Sequence, residues 1–529
     1  MKESLLHIQK SKDYNVMPNP SKNVLEHFIK VFSKNKDEYF AWDNVSGTSN
    51  RGDFFLKATV VSQLIKSKTE HRYIGIMLPA LQSTSLLIMA TYMAGKVPVM
   101  LNWTVGNKVI EHCVEITDLD LIITAGSFYD KIKEQIPDEV AKKLMFLEQE
   151  VKNITTPMKL KGLAMFKFPR LFINTDIDKT AVVLFTSGSE TLPKAVPLTH
   201  ENVVSDLYGA LNIIDIRVQS IFLSFLPPFH SFGFTVLSIL PLITGVKVAY
   251  TPNPTNLGEV VEAIRHNKAN NIMATPTLLK MIMAKASKKD LESVELVISG
   301  AESLHPDIKA QFEEMTKGHN ALIIEGYGIT ECAPIVSLNP FDTQKTNSVG
   351  KIIKDIEVIV ADTEDFTKLG VHEEGMFLVR GKNVFEGYLD KDITSPFIDV
   401  DGKTYYKTGD LGYIDKDGYL FITGRLKRFV KIGGEMISLP FIEKILVSKY
   451  GEDGKNTIAV EGTDKGLEPT VVMFSTKEID KSEVNAYLRE NGVATIAKIR
   501  DIIIIDEIPL LGSGKINYRY LKELVENNR

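Results

Sequence analysis

Residues 184–194 read Leu184-Phe185-Thr186-Ser187-Gly188-Ser189-Glu190-Thr191-Leu192-Pro193-Lys194, a hydroxyl-rich turn that follows an apolar run and ends in lysine. Glycine permits close backbone approach, hydroxyls and backbone N–H groups donate hydrogen bonds, and an ammonium adds positive charge, so such a turn can wrap phosphate oxygens. Ser-Gly-Ser is equally an ordinary turn. The Gly-x-x-x-x-Gly-Lys-[Ser/Thr] spacing of a Walker loop is absent. A second cation, Lys515, ends Leu511-Gly512-Ser513-Gly514-Lys515; most lysines are solvated surface charges, but one on a glycine-flanked loop can swing in to neutralise charge developing at a phosphate. His230 lies in Pro228-Phe229-His230-Ser231-Phe232-Gly233, where it either caps loop backbone or positions a substrate.

Two further motifs fall between these in chain order: Gly326-Tyr327-Gly328-Ile329-Thr330-Glu331, then Thr408-Gly409-Asp410 with Gly424-Arg425. Together, in this order, the five segments resemble the signatures of the acyl-adenylate-forming superfamily. Residues 325–339 (EGYGITECAPIVSLN), 424–439 (GRLKRFVKIGGEMISL) and 509–515 (PLLGSGK) are most similar to the acyl-acyl-carrier-protein synthetases, including the synthetase half of bifunctional acyltransferase/synthetases. A separate acyltransferase domain has no room in the chain, so acyl transfer to a lysolipid is not expected.

The resemblance implies an ATP- and Mg2+-dependent ligase. A carboxylate is a poor electrophile, so it is first activated as an acyl-AMP and then passed to a thiol; the protein mainly positions groups and neutralises charge. Carried over residue by residue, the resemblance assigns Thr186, Ser187, Gly188, Ser189, Thr191 and Lys194 to the β and γ phosphates, Thr330 to the α-phosphate and Glu331 to the metal. Gly300, Ala301 and Glu302 frame the adenine with Tyr327 and Gly328, while Asp410 takes the ribose hydroxyls with help from Arg425. Lys515 stabilises the adenylation transition state and His230 sits beside the acyl carboxylate. Lys427 is the hinge residue, and Lys431, Gly433 and Gly434 line the thiol tunnel. The sequence departs from the superfamily at Thr191 and Ala195, which replace glycines; a residue forced to positive φ there would be strained.

The implied substrate is a fatty acid and the first-choice acceptor is acyl carrier protein, with coenzyme A as the alternative; a non-catalytic fatty-acid or nucleotide-binding relative is the third reading. The cations Arg425, Lys427, Arg428 and Lys431 would suit an acidic carrier protein, nucleotide phosphates or plain solvent. The aromatic residues Phe229, Phe232, Phe234 and Trp103 would line an acyl tunnel or simply pack a core.

These groups need a framework of several elements. Over 529 residues, 62 Lys and Arg against 67 Asp and Glu give a net charge of −5, without the basic excess of a nucleic-acid binder. Cys113 and Cys332 are too few for a disulfide framework or structural zinc site, which fits a reducing cytoplasm, with the inner membrane face as a place of peripheral contact. Residues 73–101 and 221–250 are long and apolar, but Pro79, Gln82, Pro227, Pro228, His230 and Pro241 interrupt them, which predicts buried strand–helix–strand units rather than membrane spans. The βαβ rhythm recurs at 246–275 and 296–325, predicting an α/β fold with parallel strands. Short strands with Gly and Asp turns predict a β subdomain at about 346–425. The N-terminal adenylation domain is thus read as 1–425 and a small mobile α+β lid as 426–529, with helices near 439–450 and 482–492 and strands at 456–461, 470–475 and 502–505.

Overall fold

The computed structural model describes residues 17–105, 107–186, 192–217, 219–319, 321–432, 435–452, 455–463, 470–491, 493, 497–511 and 515–527, with the side chains of 427, 429, 431, 432, 435, 436 and 527 left undescribed. The described residues form two compact units, one from those up to 186 with 192–357 and 380–396, the other from 358–379 and those from 397 onward.

The first unit is built on two sheets. In one, the order runs Gly47–Asn50, Tyr39–Asp43, Lys247–Tyr250, Ile221–Ser224, Asn271–Ala274, Leu296–Ser299, Leu322–Gly328, Ile335–Leu338, Gly350–Ile352. Its central members, from Tyr39–Asp43 to Leu322–Gly328, are all parallel. The other sheet runs Leu144–Phe146, Ile122–Thr124, Tyr73–Ile76, Val97–Met100, Thr180–Thr186, Lys194–Thr199, parallel except for its closing hairpin. Parallel strands are covered on both faces, so they read as continuous apolar runs; Leu296-Val297-Ile298-Ser299 is buried throughout.

Both long apolar segments form strand–helix–strand units, as expected. Tyr73–Ile76 leads through the helix Gln82–Met93 to Val97–Met100, and Ile221–Ser224 leads through Phe232–Thr244 to Lys247–Tyr250. The Gln82–Met93 helix is buried on nearly every side, which is why it shows no amphipathic stripe. Residues 232–239 are wound as a π-helix directly after His230 and Ser231. No helix among the described residues is long and apolar enough to cross a membrane.

The second unit opens with antiparallel strands: Gly375–Gly381 pairs with Lys403–Ile414, which also pairs with Phe397–Val400 and Tyr419–Arg425. Beyond them, Ile458–Thr463, Thr470–Ser475 and Ile499–Ile504 form a three-stranded sheet with helices Leu439–Tyr450, Lys481–Glu490 and Tyr518–Asn527. The expected α+β C-terminal region is present.

The basic cluster expected at residues 425–431 loses one member. Arg428 is not available to an acceptor-facing basic surface: its side chain is only 15% exposed. Its guanidinium donates to Glu443 at 3.0 and 3.4 Å and to the Val460 carbonyl at 2.6 Å, and lies 3.4 Å from the Tyr518 ring centroid. The Tyr518 hydroxyl donates to the same Glu443 carboxylate at 2.5 Å. Burial opposes the Arg428 charge, but Glu443, Tyr518 and Glu461 together offset it and raise the guanidinium above its ordinary value. Nearby, burial pushes the Glu461 carboxyl from 4.5 up to about 7, against the pull of Arg428.

Removing one partner of such a buried pair leaves the other uncompensated, so Arg428→Ala is expected to cost about 3–5 kcal/mol in denaturant unfolding, and Arg428→Lys, lacking the planar fork, should recover little of it. A raised acid contributes stability that is present below its unfolded value near 4.5 and is lost as pH rises through about 7. Glu461→Gln should therefore gain on the wild type steadily across that window in chemical unfolding; a difference that does not change with pH contradicts the assignment.

Candidate active site

In open parallel sheets, ligands bind beyond the carboxyl ends of the strands. Four adjacent strands end at Ser224, Ala274, Ser299 and Gly328. The segments that leave them carry His230 and Ser231, the Thr275 cap, Gly300 to Glu302, and Thr330 with Glu331. These four candidate segments thus emerge on one edge because the strands carrying them run the same way.

Specific contacts tie these segments together. The Ser231 and Thr330 hydroxyls are 3.2 Å apart. The Phe232 ring edge lies 3.8 Å from where a Cβ on Gly300 would stand. Glu302 accepts from the Thr277 hydroxyl at 2.7 Å and its N–H at 3.3 Å, while Glu325 accepts from the Leu304 N–H at 3.2 Å, so the loop after Ser299 is held at both ends. Within that loop Ala301 has φ +70, a left-handed conformation that costs a non-glycine residue about 1 kcal/mol or more. Tyr327 is buried, and Gly328 is required where it stands: a Cβ there would meet the Pro334 carbonyl at 2.5 Å.

Glu331 is buried, and its Oε1 accepts from the Tyr388 hydroxyl at 2.8 Å. The Lys194 ammonium lies 4.6 Å from the centroid of the same Tyr388 ring. Tyr388 therefore joins Lys194 to Glu331. Sequence reasoning missed it, because a single tyrosine outside the recognised segments gives no spacing to read. His230 is half-buried with its ring 4.5 Å from Phe229, which stacks edge-on against Trp103 at 4.7 Å, itself 4.9 Å from Phe128. Phe234 is fully buried core, whereas Phe232 faces Gly300.

Thr186 closes its strand and pairs across the hairpin with Lys194. Ser187, Gly188, Ser189 and Thr191 lie outside the described residues. Ala195 pairs with Phe185 in regular strand, buried and without positive φ, so its replacement of glycine brings no strain.

In the second unit, Asp410 and Arg425 face each other in strand register and form an ion pair at 2.5 Å. The carboxylate side is 4% exposed and the guanidinium side 61%. Thr408 sets this geometry by donating to the Phe377 carbonyl at 2.8 Å and accepting the Asp410 N–H at 3.0 Å. Lys515 is half-buried, and its carbonyl accepts the Leu511 N–H at 2.7 Å; residues 512–514 between them lie outside the described set. The same holds for the side chains of Lys427 and Lys431 and for Gly433 and Gly434, although Phe429–Ile432 and Glu435–Ser438 pair antiparallel.

The turn that carries Thr330 and Glu331 is fixed from behind by residues no motif marked. Asn383 donates to the carbonyls of Cys332 at 2.9 Å and Ile335 at 3.0 Å. Asp206, on the helix His200–Leu211, accepts the Ile335 N–H at 2.8 Å. From the same helix Asn202 donates to the Lys382 and Val384 carbonyls at 2.7 and 2.9 Å, on either side of Asn383. Burial drives the Asp206 carboxyl far above its ordinary range.

Comparison with known proteins places the chain. Residues 60–389 match the model of the AMP-binding enzyme family. The chain belongs to this family. Among curated relatives of the family member described here, 4-coumarate–CoA ligase 4 of Arabidopsis thaliana is 29% identical over 66% of the chain, and the match spans 62% of that ligase's length. Two solved structures share the fold: ATP-bound MatB from Rhodopseudomonas palustris, TM-score 0.80 at 21% identity over 96% of this chain and 99% of that one, and o-succinylbenzoate coenzyme A synthetase from Bacillus subtilis with ATP and a magnesium ion, TM-score 0.77 at 21% identity over 94% and 99%.

Asn383→Ala leaves two buried carbonyls without their donor, and is expected to lower stability by about 2 kcal/mol in denaturant unfolding. Asp206→Asn, which still accepts the Ile335 N–H, should stay within about 1 kcal/mol of wild type. A large loss in the second with none in the first would contradict the role of Asn383 in holding the turn.

Proposed function

We propose that this chain is an ATP-dependent ligase that activates a carboxylic acid as an acyl-adenylate and passes the acyl group to a pantetheine thiol. The observation that carries the reading is the Lys194–Tyr388–Glu331 arrangement beside the Ser231–Thr330 hydroxyl pair at the carboxyl ends of the parallel strands. A cation, a buried carboxylate and paired hydroxyls suit a magnesium-bound polyphosphate.

Among the described residues no three His, Cys, Asp or Glu side chains group to hold a metal by themselves. That fits Mg2+, which keeps few protein ligands and shares phosphate oxygens. Glu331, with one oxygen on Tyr388, would hold the ion through the other; bound there, the ion neutralises phosphate charge. The acid's carboxylate attacks the α-phosphorus, the bond to the bridging oxygen breaks, and pyrophosphate leaves with both its electrons. Thr330 orients the α-phosphate, Thr186 and Lys194 hold the outer phosphates, and Asp410 with Arg425 binds the ribose. His230 positions the acid's carboxylate, which is already ionised at neutral pH and needs no base. Lys515 neutralises charge in this step only. A turn about Lys427 of a lid spanning 426–529 then admits the thiolate, which attacks the acyl carbonyl and expels AMP.

Coenzyme A is the acceptor best supported, because the relative just described is named a CoA ligase. The carrier-protein reading keeps a specific basis in residues 325–339, 424–439 and 509–515. A fatty acid remains the proposed substrate, and two free, buried cysteines accord with a cytoplasmic location. The non-catalytic reading loses half its motive now that Ala195 sits in unstrained strand.

Lys515→Ala is expected to slow acyl-AMP formation on the order of a hundredfold or more, yet to convert supplied acyl-AMP to thioester at the wild-type rate. Running the second half-reaction with coenzyme A and with acyl carrier protein separates the acceptors. Equal loss of both half-reactions contradicts the role of Lys515.

A further inference from the structure

A surface helix normally turns its apolar residues inward. The helix Thr156–Lys167 and the short turn Pro169–Phe172 do so only in part. Gly162 and Met165 face the helix Arg51–Lys68: a Cβ on Gly162 would stand 2.7 Å from Val60, and Met165 accepts from Gln63 at 3.1 Å. Leu160 lies on the opposite side of the helix, 61% exposed, with Leu163 beside it. Beyond the helix end, Leu171 is 80% exposed, and Phe168 and Phe172 are both more than half exposed with rings 6.5 Å apart. Large apolar side chains so exposed on a well-anchored helix mark an interaction site.

The charges on this segment have one sign. Residues 151–175 contain Lys152, Lys159, Lys161, Lys167 and Arg170 and no Asp or Glu, in a chain whose net charge is −5. Lys159, Lys161, Lys167 and Arg170 are exposed, and none makes an ion pair among the described residues. Lysines interleaved with leucine and phenylalanine can lay their stems along an apolar layer while their heads reach an anionic one. An acidic protein would match the charge but leave the projecting phenylalanines and leucines without a matching apolar surface; an anionic bilayer supplies both layers at once.

We propose that this face docks on an anionic lipid bilayer, with Leu160, Leu163, Phe168, Leu171 and Phe172 entering the headgroup region and Lys159, Lys161, Lys167 and Arg170 meeting lipid phosphates. The inference does not rest on the ligase reading, since binding to vesicles needs neither ATP nor acid.

The test is sedimentation of the full chain with vesicles of equal parts phosphatidylglycerol and phosphatidylcholine, against phosphatidylcholine alone. Wild type is expected to bind the anionic vesicles, and salt should weaken the binding. The triple variant Lys159→Gln, Lys167→Gln, Arg170→Gln should lose on the order of a hundredfold in partitioning, and Leu171→Glu with Phe172→Glu about tenfold or more, both with wild-type melting temperatures because the sites are exposed. Absence of wild-type binding overturns the proposal, as does unchanged binding by both folded variants. So do variants of this face that lose self-association or protein binding while binding vesicles as the wild type does, which would give the face to a protein.

Discussion

Everything at the candidate site depends on how one turn is held. The backbone around Thr330 and Glu331 leaves the parallel sheet, so its carbonyls and N–H groups cannot be satisfied by a strand partner, and buried backbone polar groups left unpaired are costly. Side chains do the work instead. The helix His200–Leu211 grips residues 382 and 384 through Asn202, and Asn383 between them grips Cys332 and Ile335. The same segment continues to Phe385, whose N–H binds the Glu331 carbonyl at 2.8 Å, and to Tyr388, which binds its carboxylate. One buried helix thereby sets the position of the carboxylate and, through the Tyr388 ring, its relation to Lys194.

This arrangement gives each group a physical reason for its place. Parallel strands deliver the segments of His230, Gly300 to Glu302 and Thr330 to one edge. Glycine at 328 lets the chain pass the Pro334 carbonyl, and strain at Ala301 is accepted in a loop fixed at both ends. Substrate positioning within fractions of an ångström is what activation of a carboxylate requires from a protein that supplies little covalent chemistry.

Much of this was legible in the amino-acid sequence. Alternating apolar runs and helical stretches gave the parallel α/β unit, and interrupting prolines marked the buried strand–helix–strand units, because those features are local. Ordered motifs singled out Lys194, His230, Thr330, Glu331, Asp410 and Lys515 as candidates. Tyr388, Asp206 and Asn383 were invisible: each acts through a partner far away in sequence, and no periodicity records such a contact. Arg428 misled for the converse reason, since a basic run looks solvated until Glu443 and Tyr518 fold over it. The exposed face at residues 160–172 also escaped notice, because apolar residues on both sides of a helix cancel the one-sided pattern that betrays an amphipathic anchor.

The central claim is that the site built on Lys194, Tyr388, Glu331 and Thr330 joins ATP to a carboxylic acid. Exchange of radiolabelled pyrophosphate into ATP by the wild-type protein, with Mg2+ and a series of fatty and aromatic acids and with no thiol present, measures that step alone. The account predicts exchange that requires both Mg2+ and an acid and rises with the preferred chain. Exchange that is absent with every acid, or that proceeds equally without one, would contradict it.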